Sequence, residues 1–128
     1  MTLDLWALVA TIGLAMVQLA ASSVLSLRQL GGQYILSPRD EPRFASGTAG
    51  RVVRAHRNLL EIFPQFLAAL FVVHAAGKAG FWAATGAWLF FAARTLYVPA
   101  YVFAPDGVRP VCWIAAQIGI VIILVDVI

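Results

Sequence analysis

A chain of 128 residues has the length of one domain, but 62% hydrophobic residues, 12% charged residues and a formal net charge of +3 lie far from the balance of a water-soluble protein. This excludes a solvated globular domain, and nothing in the chain resembles a nucleic-acid-binding surface. The single cysteine, Cys112, excludes an internal disulfide and cannot form a metal cluster unaided, so no metal site is expected.

A helix needs roughly 20 apolar residues to cross a bilayer, and runs of that kind read at about 3–27, 59–76, 79–103 and 111–128. The first is too long, and its start lacks the positive charge, for a secretory signal. Between it and the next run, Arg28 to Gly50 holds Gly31-Gly32, Pro38 and Pro42, the residues of turns and irregular chain. Gly77-Lys78-Ala79-Gly80 and Ala104-Pro105-Asp106-Gly107 read as tight turns. The expected fold is therefore an all-α integral membrane protein, a single domain over 1–128, with four transmembrane helices at about 3–27, 51–76, 79–103 and 109–128.

Four spans put the first and third loops on one side. They carry Arg28, Arg39, Arg43 and Arg109, against Lys78 alone on the other. The positive-inside rule then places the 28–50 loop in the cytoplasm and both termini outside, as in a multi-pass protein of a bacterial inner membrane. Trp6 and Trp82 fall near the outer interface and Trp113 near the inner one, where aromatic residues gather.

The second helix opens on an unusually polar stretch. At about 100° per residue, Arg51, Arg54, Asn58 and Glu61 fall within an arc of roughly 80°. On the third helix Arg94, Tyr97 and Tyr101 occupy an arc of about 60°. The expected topology brings both stripes and Arg109 to one level near the inner face. Charge in the hydrocarbon layer costs several kcal/mol and normally faces the interior and finds partners, so a shared polar cavity is expected. Simpler roles stand beside this one. Arg51 and Arg54 would also suit the membrane border, snorkelling to headgroups, and Glu61 with Arg54 or Arg94 would suit a structural ion pair. His56 lies away from the polar arc and His74 near the outer end, both read as structural or interfacial. Pro64 reads as a kink.

The block Arg54-Ala55-His56-Arg57-Asn58-Leu59-Leu60-Glu61-Ile62-Phe63-Pro64 and the block Arg94-Thr95-Leu96-Tyr97-Val98-Pro99-Ala100-Tyr101, set in a four-span frame, resemble the MAPEG family, membrane-associated proteins in eicosanoid and glutathione metabolism. The resemblance implies a homotrimer with glutathione as cosubstrate between neighbouring protomers near the cytosolic face. By position, Arg51, Arg54, Asn58, Glu61, Arg94, Tyr97 and Tyr101 would bind it. Arg109 would stabilise the thiolate, with Arg94 as second candidate. The chemistry agrees: glutathione's two carboxylates suit bidentate guanidinium groups, and Glu61 suits its ammonium.

The implied activity is that of a glutathione transferase or peroxidase acting on lipophilic electrophiles or lipid hydroperoxides drawn from the bilayer. Ile62 stands where some members have tyrosine, Ser26 where a basic residue is often found, and Pro110 where the prostaglandin synthase has serine. These departures point away from a specialised eicosanoid synthase. The alternatives are a non-catalytic lipophile-binding protein of the same fold, and a small four-helix multidrug exporter. The exporter would resemble proteins with a buried glutamate in the first helix, where this chain has only Gln18.

Overall fold

The computed structural model describes residues 1–125 and 127–128, which are all-helical, with no strand among them. The elements are α1 (Leu3–Leu30), α2 (Gly32–Leu36), α3 (Gly47–Ala75), α4 (Phe81–Phe103) and α5 (Val108–Ile123). α1 and α3 are long and apolar enough to cross a membrane.

Several boundaries differ from expectation, each for a local reason. α1 runs on to Leu30 because Gly31, at φ 84°, adopts a conformation open to glycine and ends the helix there. The following loop is not wholly irregular, since α2 forms within it. α3 starts at Gly47 rather than 51, its first turn closed by Gly50 N–H donating to the Ser46 carbonyl at 3.1 Å. α4 begins at Phe81, after Gly80, and stops at Phe103 ahead of Pro105. α5 ends at Ile123, five residues short of the expected end. Its 16 residues make about 24 Å at 1.5 Å each, less than a hydrocarbon core of about 30 Å. Pro64 and Pro99 sit inside helices that continue through them.

α4 and α5 share the most extensive contact, α1 lies against α3 and α4, and α3 against α4. The short turn after Ala75 makes α3 and α4 antiparallel neighbours. Leu59, Ile62, Phe66, Leu70 and Val73 repeat at helical spacing and are buried along α3. Phe66 stacks on Phe90 of α4, ring centres 4.1 Å apart and planes within 4°. Gly86 and Gly119 let α4 and α5 touch backbone to backbone: a Cβ on Gly119 would lie 2.7 Å from the Gly86 carbonyl oxygen. The small residues Gly86 and Ala87 are thus used within the chain, whereas Ala20 and Ala21 remain exposed.

α1 inverts the pattern of a water-soluble helix. Its buried residues are Asp4, Ala7, Thr11, Gln18 and Ser22, while Trp6, Val9, Ile12, Met16, Val17 and Leu19 are exposed. Asp4 meets His74 of α3 in a side-chain hydrogen bond of 2.5 Å. This contact joins the N-terminal end of α1 to the C-terminal end of α3, making those helices antiparallel.

Candidate functional site

The polar residues of α3, the last turns of α4 and the start of α5 come together at the end of the molecule opposite Asp4 and His74. Arg51 Nη1 donates to the Val102 carbonyl at 2.8 Å. That carbonyl lies in the last turn of α4, where no intrahelical N–H reaches it, so the arginine satisfies a helix end. One turn on, Arg54 Nε donates to the Tyr101 hydroxyl at 2.9 Å, and its guanidinium carbon lies 5.7 Å from the Tyr101 ring centre. The guanidinium of Arg109, from the first turn of α5, is 4.8 Å from the same ring. Two cations therefore share one aromatic face system, within the roughly 6 Å over which ring and cation attract.

Arg94 lies deeper. It is 0% exposed, with its guanidinium carbon 4.1 Å from the centre of the Tyr97 ring. Its Nη1 donates to Asn58 Oδ1 at 3.0 Å, while Nε and Nη2 have no protein partner. The other end of the Asn58 amide donates to Glu61 Oε2 at 3.4 Å. Asn58 thus faces a cation with its oxygen and a carboxylate with its nitrogen, the orientation electrostatics require.

A cavity of ≈400 Å³ is lined by Arg51, Arg54, Tyr101, Asp106 and Arg109, among others. A second, of ≈320 Å³, is lined by Asn58, Tyr97, Arg109, Pro110 and Trp113. They share Arg109 and Pro110. An apolar groove of ≈380 Å³, whose walls include Leu96, Pro99, Phe103 and Cys112, shares Ala100 and Ala104 with the first cavity.

All eight residues singled out from the sequence lie in this region, but not equally buried. Arg94 and Tyr97 are buried, Asn58 and Tyr101 half-buried, and Arg51, Arg54, Glu61 and Arg109 exposed on the single chain. Glu61 pairs with neither Arg54 nor Arg94, so the structural ion pair considered for it is not formed. Trp113, assigned from sequence to the membrane border, lines the second cavity; its spacing of one helical turn from Arg109 was the available signal. Asp106 was read only as a turn residue and lines the first. His56 stays outside both cavities, buried with Nδ1 unpartnered. No group of three or more His, Cys, Asp or Glu able to hold a metal occurs among the described residues.

The arrangement gathers guanidinium groups around a polar cavity to which Asp106 contributes a carboxylate. Arg51, Arg54 and Arg109 line the first cavity, and the buried Arg94, whose neighbours Asn58 and Tyr97 line the second, keeps two nitrogens unused by protein. Tyr97 and Tyr101 stack on each other, ring centres 5.9 Å apart.

No curated protein and no solved structure gives a significant match to this chain. The family model described as the MAPEG family matches residues 4–128, essentially from end to end. That match, together with the two polar blocks on adjoining helices, places the chain in the MAPEG family.

Proposed function

We propose that this protein is a glutathione-dependent membrane enzyme, a transferase or peroxidase that acts on lipophilic electrophiles or lipid hydroperoxides. Membership of the MAPEG family points to glutathione-related or eicosanoid metabolism. The observation that carries the reading is the buried Arg94 with Nε and Nη2 unpartnered, beside cavities ringed by Arg51, Arg54 and Arg109. A buried cation with open donors is satisfied by an anion, and glutathione brings two carboxylates. Glu61, exposed and held only by Asn58, is the one acidic group on the α3 polar face and suits the ammonium.

Glutathione would supply a nucleophilic thiol. The chain's own work is to bind its charged ends, hold the sulfur beside Arg109, and admit a lipophile along the apolar groove that shares Ala100 and Ala104 with the polar cavity. That shared wall brings a bilayer-derived substrate next to a charged site.

In this reading α1, α3, α4 and α5 form a four-helix membrane bundle, with the short α5 reaching across together with the residues that follow it, the 28–50 loop is cytoplasmic, and three copies assemble. Arg54 and Glu61 are exposed on a single chain. Bare charge at membrane depth is expensive, and a neighbouring copy that covers this face relieves it. Calorimetric titration of the purified protein with glutathione in mild detergent tests the binding step, and mass measurement tests the trimer. Saturable heat with a trimeric mass supports the reading, whereas no heat at millimolar glutathione overturns it.

A further inference from the structure

At the same end of the molecule a second polar pocket lies apart from the cavities around Arg109. Its volume is ≈180 Å³, and it is lined by Ser22, Ser23, Ser26, Ile35, Arg39 and Val53. The three serines occupy one arc of α1, about 100° wide at 100° per residue, with α2 and α3 supplying the opposite wall.

The hydroxyls here are unusual for helical ones. Thr11, Thr85 and Thr95 each donate to the carbonyl four residues back, the common way for a membrane helix to satisfy such a group. Ser22 likewise donates to Leu19. Ser23 and Ser26 make no protein hydrogen bond among the described residues, so two donors remain open toward the pocket.

Arg39 is held over that pocket at a conformational cost. It is the only non-glycine residue among the described ones with positive φ, 58°, a setting that tends to persist where function demands it. Its Nε and Nη2 both donate to the Ile35 carbonyl, at 3.2 and 2.8 Å, which closes the end of α2 and leaves Nη1 unbonded by protein. The loop that carries it is firmly built. Gln29 and Ser46 tie its two ends by reciprocal hydrogen bonds. The Tyr34 hydroxyl joins the Glu41 carbonyl and the Arg43 N–H, and Arg43 lies over the Tyr34 ring at 5.0 Å. Asp40 and Glu41 follow Arg39 but do not line the pocket.

Two large apolar side chains on this ordered loop point away from the protein: Leu36 is 88% exposed and Phe44 79%. Apolar residues beside cations on a segment of this kind suit the boundary between headgroups and acyl chains. At about 30 Å³ per water, the pocket holds the volume of about six waters, enough for a phosphate group with part of its glycerol.

The geometry points to a binding site for the phosphate of an anionic phospholipid, in the leaflet on the loop side, with Arg39 and the hydroxyls of Ser23 and Ser26 as donors and Leu36 and Phe44 against its acyl chains. This site does not depend on the proposed use of glutathione.

The test is native mass spectrometry of the full chain from mild detergent, offered equimolar phosphatidylglycerol and phosphatidylcholine with matched acyl chains. Wild type should retain phosphatidylglycerol in preference by about tenfold, the scale of one hydrogen bond to a charged group. Arg39→Gln should abolish the preference. Ser26→Leu, which fills the pocket while leaving the Arg39 cap on Ile35 in place, should do the same, so loosening of the loop cannot account for both. Arg28→Gln removes equal charge from the same end without touching the pocket and should keep the preference. Equal retention of the two lipids by wild type, unchanged preference in both pocket variants, or equal loss in Arg28→Gln would overturn the site. Release of the lipid by millimolar inorganic phosphate would assign the pocket to a free anion instead, and release by glutathione would assign it to the other site; either overturns the lipid assignment.

Discussion

Asn58 accepts from Arg94 Nη1 at 3.0 Å, and among the described residues this is the one protein hydrogen bond that the buried guanidinium makes. A buried cation with a single protein acceptor is sensitive to loss of that acceptor. Asn58→Leu should destabilise the folded protein by about 1.5–3 kcal/mol, the worth of a hydrogen bond to a charged group. Asn58→Asp, which offers Arg94 a carboxylate, should not. Thermal unfolding of the variants in one detergent compares them directly, and a wild-type melting point for Asn58→Leu would mean that Arg94 is satisfied elsewhere.

Glu61 accepts one hydrogen bond, from the Asn58 amide, and is exposed, so its charge is removable without disturbing the core. If it holds the ammonium of glutathione, Glu61→Gln should weaken binding by about 1.5–3 kcal/mol while the mass and melting point of the assembly stay as they were. Calorimetry reads the first and mass measurement the second. Unchanged affinity together with a dissociated assembly would give Glu61 a purely structural role.

Arg54 and Arg109 flank the same tyrosine yet should fail differently. A free thiol has a pKa of about 8.5 and reacts as the thiolate, and a nearby fixed cation lowers that value by favouring the anion. A drop of about two units needs roughly 2.7 kcal/mol of preferential stabilisation. Arg109→Ala should therefore raise the pKa of the bound thiol and slow turnover near neutral pH, with most glutathione affinity retained. Arg54→Ala should chiefly weaken binding, because Arg54 is hydrogen-bonded into the wall of the cavity. Thiolate absorbance against pH, with turnover of a generic aryl halide, separates the two. A wild-type titration and rate in Arg109→Ala would move the thiolate role to Arg94.

Gly119 has no room for a side chain, since its Cβ would meet the Gly86 carbonyl oxygen and the Phe90 amide nitrogen at 2.7 and 2.9 Å. Backbone cannot step aside as a flexible side chain can. Gly119→Val should force α4 and α5 apart, displace Arg109 from Tyr101, and lower both the melting point and glutathione affinity. Gly13→Ala, in open space on α1, is the matched control and should leave both intact.

The parts of this protein that were legible in its sequence are those governed by local spacing. Arg94, Tyr97 and Tyr101 fall on one helical stripe whatever surrounds them, and the periodic burial of Leu59, Phe66 and Val73 follows the same rule. Exposure was not legible, because a helical stripe does not say whether it points at the chain's own core or at a neighbour. Arg94 is buried while Arg54 is not, though both belong to polar arcs. The hydrogen bond between Asp4 and His74 joins residues 70 positions apart, and only the register between α1 and α3 brings them together. α2 was hidden by the glycines and prolines around it, which signal turns and mask a single helical turn between them.

The reversed surface of α1 bears on how the protein is made. Four of its five buried residues, Asp4, Thr11, Gln18 and Ser22, are polar, and both amide atoms of Gln18 lack a protein partner. As α1 leaves the ribosome it is apolar enough to enter a bilayer, and Thr11 and Ser22 bond to carbonyls of α1 itself, but Asp4 and Gln18 carry polar groups that lipid cannot solvate. The helix that shelters Asp4 brings its partner, His74, 70 residues later. Between those two moments α1 lacks the partner that covers Asp4. A nascent chain halted near residue 45 should be turned over quickly, and one halted well beyond His74 should persist. The lifetime of the young protein should then depend on the interval between translating α1 and translating α3.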